Sequence, residues 1–252
     1  MSSVKPLQLL LAEIGGEAVS AELLQPAVLS PHDFQLRSSD MARLADADMI
    51  IWFGPVLEHY LSKPLRRFDN AVALYPEYAP GVVDPHFWLD VDEVCAVARR
   101  LARLLSDRLP SRSAYFHANA ARFMSALRAY DSALAAQLAP SAGRQYLFLH
   151  DGFSRFEQRY QLAGGAVVMV DDHRLPGARH LVALRERLQR GDFDCVFREP
   201  QYPASTLRAL VSGVDVAVIE LDAMGRNIDK ADGFLRLYRQ LGEAFVSCFR
   251  AH

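Results

Sequence analysis

The chain has 252 residues, of which 51% are hydrophobic and 23% are charged, a composition that is typical of a folded protein and argues against extensive disorder. Its 28 basic and 30 acidic residues are mixed along the sequence, and the formal charge of -2 argues against nucleic acid or an acidic membrane surface as a partner. No apolar run approaches the roughly 20 residues that a membrane-spanning helix needs.

Short apolar runs alternate with helical patterns in the first third of the chain, an alternation that indicates a parallel sheet covered by helices. Pro6 suits the first turn of an early helix. The patterns predict strands at 18–24, 49–53 and 71–75, and helices at 39–44 and 56–68.

A second block with the same alternation begins near Gln145. Its patterns predict strands at 146–149, 166–170, 195–197 and 214–219, and helices at 154–160, 176–189, 203–211 and 233–250.

A helical pattern without Gly or Pro covers 114–138, between the two blocks. At 1.5 Å per residue it would be about 37 Å long, which suits a stiff connection. We therefore expect an α/β protein with two parallel-sheet α/β lobes joined by one long interdomain helix. The expected domains are an N-terminal lobe at 1–113, the linking helix at 114–140 and a C-terminal lobe at 141–252.

Four polar residues follow predicted strands, where ligands bind in open α/β sheets. His32 follows the strand at 18–24, and His86 lies in Asp84-Pro-His. His150 and Asp222 directly follow apolar runs of the second block. Three imidazoles and one carboxylate suit Zn(II) in a single cleft between the lobes.

The remaining histidines are interpreted differently. His59, His117 and His180 lie in helical patterns and His252 is the chain end, so we treat them as structural. His173 follows a strand, and its pattern favours a solvated loop over a supporting contact or an alternative ligand.

Three cysteines, Cys95, Cys195 and Cys248, lack the close C-x-x-C spacing of a zinc or redox motif. Buried thiols and one long-range disulfide are both compatible with them. The first residues lack the apolar segment and cleavage site of a secretory signal, so the protein is either cytoplasmic or has had a signal replaced by Met1.

Five segments in order along the chain resemble the zinc-specific periplasmic binding proteins of bacterial ABC metal-uptake systems, the cluster A-I group. They are Ser30-Pro-His-Asp-Phe-Gln-Leu-Arg-Ser-Ser-Asp, Asp84-Pro-His-Phe-Trp-Leu, Leu149-His-Asp-Gly-Phe-Ser-Arg-Phe-Glu, Cys195-Val-Phe-Arg-Glu-Pro-Gln-Tyr and Leu221-Asp-Ala-Met-Gly.

This resemblance implies two lobes joined by a long helix, with His32, His86 and His150 as zinc ligands and Asp222 as a fourth. It implies a monomeric, non-enzymatic periplasmic protein that delivers Zn(II) to an ABC permease, with a metallochaperone as a further candidate partner. A disulfide between Cys195 and Cys248 and a buried Cys95 thiol are implied in the same way.

Two departures from the family pattern concern the site. The histidine-rich and acidic loop of many zinc members is missing before His86, where the chain has only 75–83. Some zinc members have an acidic ligand immediately before the first histidine, but Pro31 stands there. The fourth ligand is therefore Asp222 or water.

Two other functions are compatible with these residues. The same fold could bind a metal chelate or another first-row metal, such as manganese, iron, copper or nickel. Three histidines and a water also form a hydrolase site, in which zinc lowers the pKa of water to about 7. Against a hydrolase, the sequence has no H-E-x-x-H helix, and Asp222 would fill the open position.

Overall fold

The computed structural model describes residues 1–29, 34–75, 84–169 and 177–250, which form two compact units. The first unit contains Met1–Tyr130 and Met224–Leu237, and the second contains Asp131–Ala223 and Tyr238–His252. Two of the boundaries between the units therefore fall inside helices. Among the described residues, no helix is both long and apolar enough to cross a membrane.

The first unit has a small parallel sheet. In chain order its elements are α1 (Lys5–Gly15), α2 (Ser38–Ala45), β1 (Ile50–Trp52), β2 (Ala71–Ala73), α3 (Val91–Arg108) and the first part of α4 (Ser113–Leu138). β1 pairs with β2, and Ser2 makes single parallel bridges to Leu23 and to Ile51. The sheet order is therefore Leu23, Ser2, β1 and β2.

Local sequence explains where the helices of this unit begin. Pro6 lies in the first turn of α1, where its missing N–H costs no helical hydrogen bond. Asp90 caps α3, because its side chain accepts hydrogen bonds from the backbone N–H groups of Asp92 and Glu93. The early helix predicted at Pro6 is confirmed, whereas the start of α3 at Asp90 was not predicted.

Two predicted elements of the first unit are wrong. No strand runs over 18–24, because α1 ends in a turn at Gly16–Ala18 and only Leu23 bridges to the sheet. No continuous helix covers 56–68, which instead forms the short 3₁₀ helices His59–Leu61 and Pro64–Arg67. Pro64 explains the interruption, since a proline inside an α-helix removes a hydrogen bond and clashes with the preceding turn.

The second unit has a four-stranded parallel sheet in the order β4-β3-β5-β6. Its elements are β3 (Tyr146–His150), α5 (Ser154–Tyr160), β4 (Ala166–Met169), α6 (Ala178–Gln189), β5 (Cys195–Arg198), α7 (Ala204–Val211), β6 (Ala217–Glu220) and the last part of α8 (Gly233–Arg250). Every residue of β3 is buried, as expected for a central strand with helices on both faces.

The sequence predicted all of these strands and helices, with shifts at their ends. β3 includes His150, and β6 begins at Ala217 rather than Val214. α6 begins at Ala178, while Val170 and Pro176 lie outside the described residues. The prediction of an α/β protein with two parallel sheets is confirmed.

A disulfide joins β5 to α8 in the second unit. Cys195 and Cys248 are bonded, with their Cα atoms 5.4 Å apart. Cys95, in α3, is buried and not part of a disulfide. The pairing implied by the family resemblance is confirmed.

Glu58 is a fully buried carboxylate of the first unit. Its Oε2 accepts hydrogen bonds from the backbone N–H groups of Phe53 (2.8 Å) and Gly54 (3.0 Å), just after β1. Burial raises the pKa of Glu58 from its ordinary value of 4.5 to about 7, because desolvation outweighs these hydrogen bonds.

This raised pKa predicts a loss of stability with rising pH. The folded chain holds the Glu58 proton more tightly than the unfolded chain, so the stabilisation is complete below about pH 4.5 and is lost as pH rises to about 7. We expect the free energy of unfolding to fall by about 3 kcal/mol over this interval, since one pKa unit is worth about 1.4 kcal/mol. Glu58→Gln should remove this component, because the amide oxygen can accept the same hydrogen bonds without titrating.

Urea unfolding followed by tryptophan fluorescence measures the effect, because both tryptophans, Trp52 and Trp88, belong to the first unit. Glu17→Gln is the control, since the Glu17 side chain is largely exposed. A Glu58→Gln variant with the same pH dependence as wild type would contradict the assignment.

Candidate functional site

His150 lies where the strand order of the second unit changes direction. From β3 the chain moves to β4 on one side, and β5 then adds on the other side of β3. Ligands of open parallel sheets bind at the carboxyl ends of the strands at such a switch point. His150 is the last residue of β3, so it stands at this position.

The His150 side chain is held by a buried carboxylate and by aromatic rings. The backbone N–H of His150 donates to Glu199 Oε1 (3.3 Å), and Nδ1 lies 2.5 Å from Glu199 Oε2. The rings of Phe153 and Tyr202 have centroids 5.7 and 5.2 Å from that of the imidazole. Only 7% of His150 and 2% of Glu199 are exposed, so the surrounding side chains restrain the imidazole ring.

Gly152 packs against the other nitrogen of the same ring. Its backbone N–H donates to His150 O (3.2 Å) in a tight turn after β3. A Cβ atom on Gly152 would overlap His150 Nε2 and crowd the adjacent ring carbons. The absence of a side chain at 152 therefore lets this turn pack against the imidazole without overlap at Nε2.

Asp222 follows β6 and is half-buried. Gln201 Nε2 donates a hydrogen bond to Asp222 Oδ1 (2.9 Å). Strand β5 is paired with both β3 and β6. Glu199 and Gln201 both belong to the turn that follows this strand. One short segment, Glu199–Tyr202, therefore contacts both predicted ligands of the second unit.

His86 has a comparable arrangement in the first unit. Asp84 Oδ1 lies 2.7 Å from His86 Nδ1 and accepts the backbone N–H of His86 at 2.9 Å. The Trp88 ring stands edge-on to the imidazole, with centroids 5.3 Å apart. The histidine is 6% exposed, so it too has a defined ring orientation.

The family model for the zinc-uptake complex component A, periplasmic (ZnuA), matches residues 1–248. The chain belongs to this family. Two curated relatives are the high-affinity zinc uptake system proteins ZnuA of Yersinia pestis and of Paracoccus denitrificans. The Yersinia protein is 29% identical, over 99% of this chain and 91% of its own length. The Paracoccus protein is 26% identical, over 95% of this chain and 88% of its own length.

Solved structures show that the fold of this ZnuA family member is shared more widely. A crystal structure of ZnuA is 24% identical with a TM-score of 0.81, over 96% of this chain and 97% of that one. A mutant structure of the laminin-binding adhesin of Streptococcus agalactiae is 16% identical with a TM-score of 0.84, over 98% and 97%. These likenesses concern the fold, and they agree with the α/β class predicted from the sequence.

Some predicted site residues of this ZnuA family member lie outside the described residues, namely His32, His173 and the segment 76–83. Of the histidines treated as structural, His180 contacts Val167 O through Nε2 (2.9 Å), and His117 is exposed on α4. Within the ranges that the structure describes, no three His, Cys, Asp or Glu side chains form a group that could hold a metal ion.

Sequence reasoning missed the supporting residues Asp84, Glu199 and Gln201. Each lies within a segment that carries the family resemblance, but a segment does not state which side chains touch. Glu199 could have been suspected because it follows a predicted strand. Its role depends on β5 lying beside β3, and strand order is not visible in the sequence.

Proposed function

We propose that this chain is a periplasmic binding protein that captures one Zn(II) ion with His32, His86, His150 and Asp222. The observation that carries the proposal is the position of His150 at the switch point, with glycine beside Nε2. Neutral imidazoles and a carboxylate are donors that suit zinc. Membership of the zinc-uptake family supports zinc over other first-row metals.

In this proposal the zinc ion is cargo and not a catalytic cofactor. The protein binds zinc as a monomer and passes it to the membrane permease of an ABC transporter, as expected for a component of an uptake complex. Localisation in the periplasm is supported by the family and by the Cys195–Cys248 disulfide, since disulfides persist in oxidising compartments. A metallochaperone that loads the site remains a candidate partner.

Asp222 is the proposed fourth ligand, in preference to water. Gln201 engages Oδ1 of Asp222, so the carboxylate has a fixed orientation before metal arrives. Ligating carboxylates are commonly hydrogen-bonded in this way by surrounding side chains. His173 is kept as a candidate supporting residue.

The first experiment measures metal content and zinc affinity of purified protein. We expect one zinc per chain and a loss of tight binding in His32→Ala, His86→Ala and His150→Ala, because each removes a donor. Their loss should exceed the roughly 10- to 100-fold effect of removing a supporting contact. The result for Asp222→Ala distinguishes a carboxylate ligand from water.

His117→Ala is the matched control, because this exposed histidine of α4 lies outside the predicted site. Competition with Mn(II), Co(II), Ni(II) and Cu(II) tests the choice of metal. Wild-type affinity in the His86 and His150 variants would refute the proposed ligands, and a wild-type chain that prefers another of these ions would refute zinc as the cargo.

Gly152→Ala tests the ligating atom of His150 without removing any donor. The added methyl group would overlap Nε2, so the ring must turn or the turn must shift before a metal can bind. We expect zinc affinity to fall by at least about tenfold, which corresponds to roughly 1.4 kcal/mol. Isothermal titration calorimetry measures the change.

Gly143→Ala is the control for this substitution, because a Cβ atom there would meet nothing within 4 Å. Its zinc affinity should equal that of wild type. If Gly152→Ala bound zinc as tightly as Gly143→Ala, Nε2 of His150 would not be the metal-binding atom.

A further inference from the structure

The segment Glu199–Tyr202 contacts both predicted ligands of the second unit. β5 lies between β3 and β6, so the turn after β5 reaches the residues that follow both neighbours. Glu199 contacts His150 at the end of β3, and Gln201 contacts Asp222 after β6. Glu199 is the more deeply buried contact, with 2% of the residue exposed.

Both oxygens of Glu199 face nitrogen atoms of one residue. Oε1 accepts the backbone N–H of His150, and Oε2 lies 2.5 Å from Nδ1. An ionised carboxylate has only acceptor sites. Two lone pairs would repel at the distance between Oε2 and Nδ1, so a proton lies between these atoms. We place it on Nδ1, because an imidazole holds a proton more tightly than a carboxylate does.

We propose that Glu199 is a positioning residue that fixes neutral His150 in the tautomer with its proton on Nδ1, which leaves the Nε2 lone pair to bind the metal. This inference rests on the proposed function, because it assigns a role through the ligand His150. Glu199 itself does not touch the metal. Its effect is to select in advance the one imidazole tautomer that can ligate through Nε2.

Glutamine at 199 cannot do the same, although it has the same shape. The amide offers one acceptor and one donor group, while the backbone N–H and the Nδ1–H of His150 both require an acceptor. The backbone N–H cannot change its role, so the amide oxygen stays with it. The amide N–H₂ then faces Nδ1 and favours the tautomer with the proton on Nε2, where a metal would have to displace it.

The test compares Glu199→Gln with wild type in the zinc-free and zinc-titrated protein. Long-range ¹H–¹⁵N correlation spectra of the zinc-free protein report which ring nitrogen carries the proton, with His150→Ala used to assign the signals. Spectra are recorded near pH 8, above the ordinary imidazole pKa of ~6.5. We expect Nδ1–H in wild type and Nε2–H in Glu199→Gln, with zinc affinity reduced about 10- to 100-fold.

Glu220→Gln is the matched control. It makes the same chemical change one strand away, at an exposed carboxylate paired with Arg198, and should leave the tautomer and the zinc affinity unchanged. A purely structural role for Glu199 would reduce stability without exchanging the protonated nitrogen of the folded protein.

Two results would overturn the proposal. One is a wild-type His150 with its proton on Nε2, a measurement that needs no variant and is independent of how Glu199→Gln folds. The other is a folded Glu199→Gln protein that keeps Nδ1–H or binds zinc within about twofold of wild type. Failure of the proposed function looks different, because His150→Ala would then bind zinc like wild type whatever the tautomer.

Discussion

The parallel order of each sheet is the constraint on which the site depends. In the second unit the first strand, β3, is central, with β4 on one side of it and β5 on the other. In the first unit Ser2 is central in the same sense, bridged to Leu23 on one side and to β1 on the other. Parallel strands bring their carboxyl ends to one edge, so residues far apart in sequence become neighbours there.

A buried glutamate lies beyond the corresponding strand in each unit, and its partners decide its chemistry. Glu58, after β1, accepts hydrogen bonds from the backbone N–H groups of Phe53 and Gly54, and burial raises its pKa to about 7. Glu199, after β5, faces the imidazole of His150 as well as a backbone N–H. The buried glutamate therefore stabilises a turn in the first unit, whereas in the second unit it orients a predicted metal ligand.

The spacing of hydrophobic residues correctly predicted those helices and strands in which the local sequence agrees with the packing of the folded unit. α8 was predicted with its observed bounds, Gly233–Arg250, because its pattern is long and uninterrupted. The segment 56–68 failed because apolar spacing was followed across Pro64, which ends helical hydrogen bonding. His150 was correctly placed at a strand end. Its contact with Glu199 could not be predicted, because the pairing of β3 with β5 brings the two residues together.

The disulfide connects the stability of the second unit to the geometry of its predicted ligands. Cys195 begins β5 and is bonded to Cys248 in α8, while Glu199 follows directly after the same strand. Closing a chain segment of this length stabilises a fold by about 4 kcal/mol in the loop-entropy description. It also restrains the strand from which Glu199 and Gln201 reach His150 and Asp222. Side chains that are ordered during folding lose less entropy when a metal binds, so a covalent restraint on β5 favours metal capture by the proposed ligands His150 and Asp222.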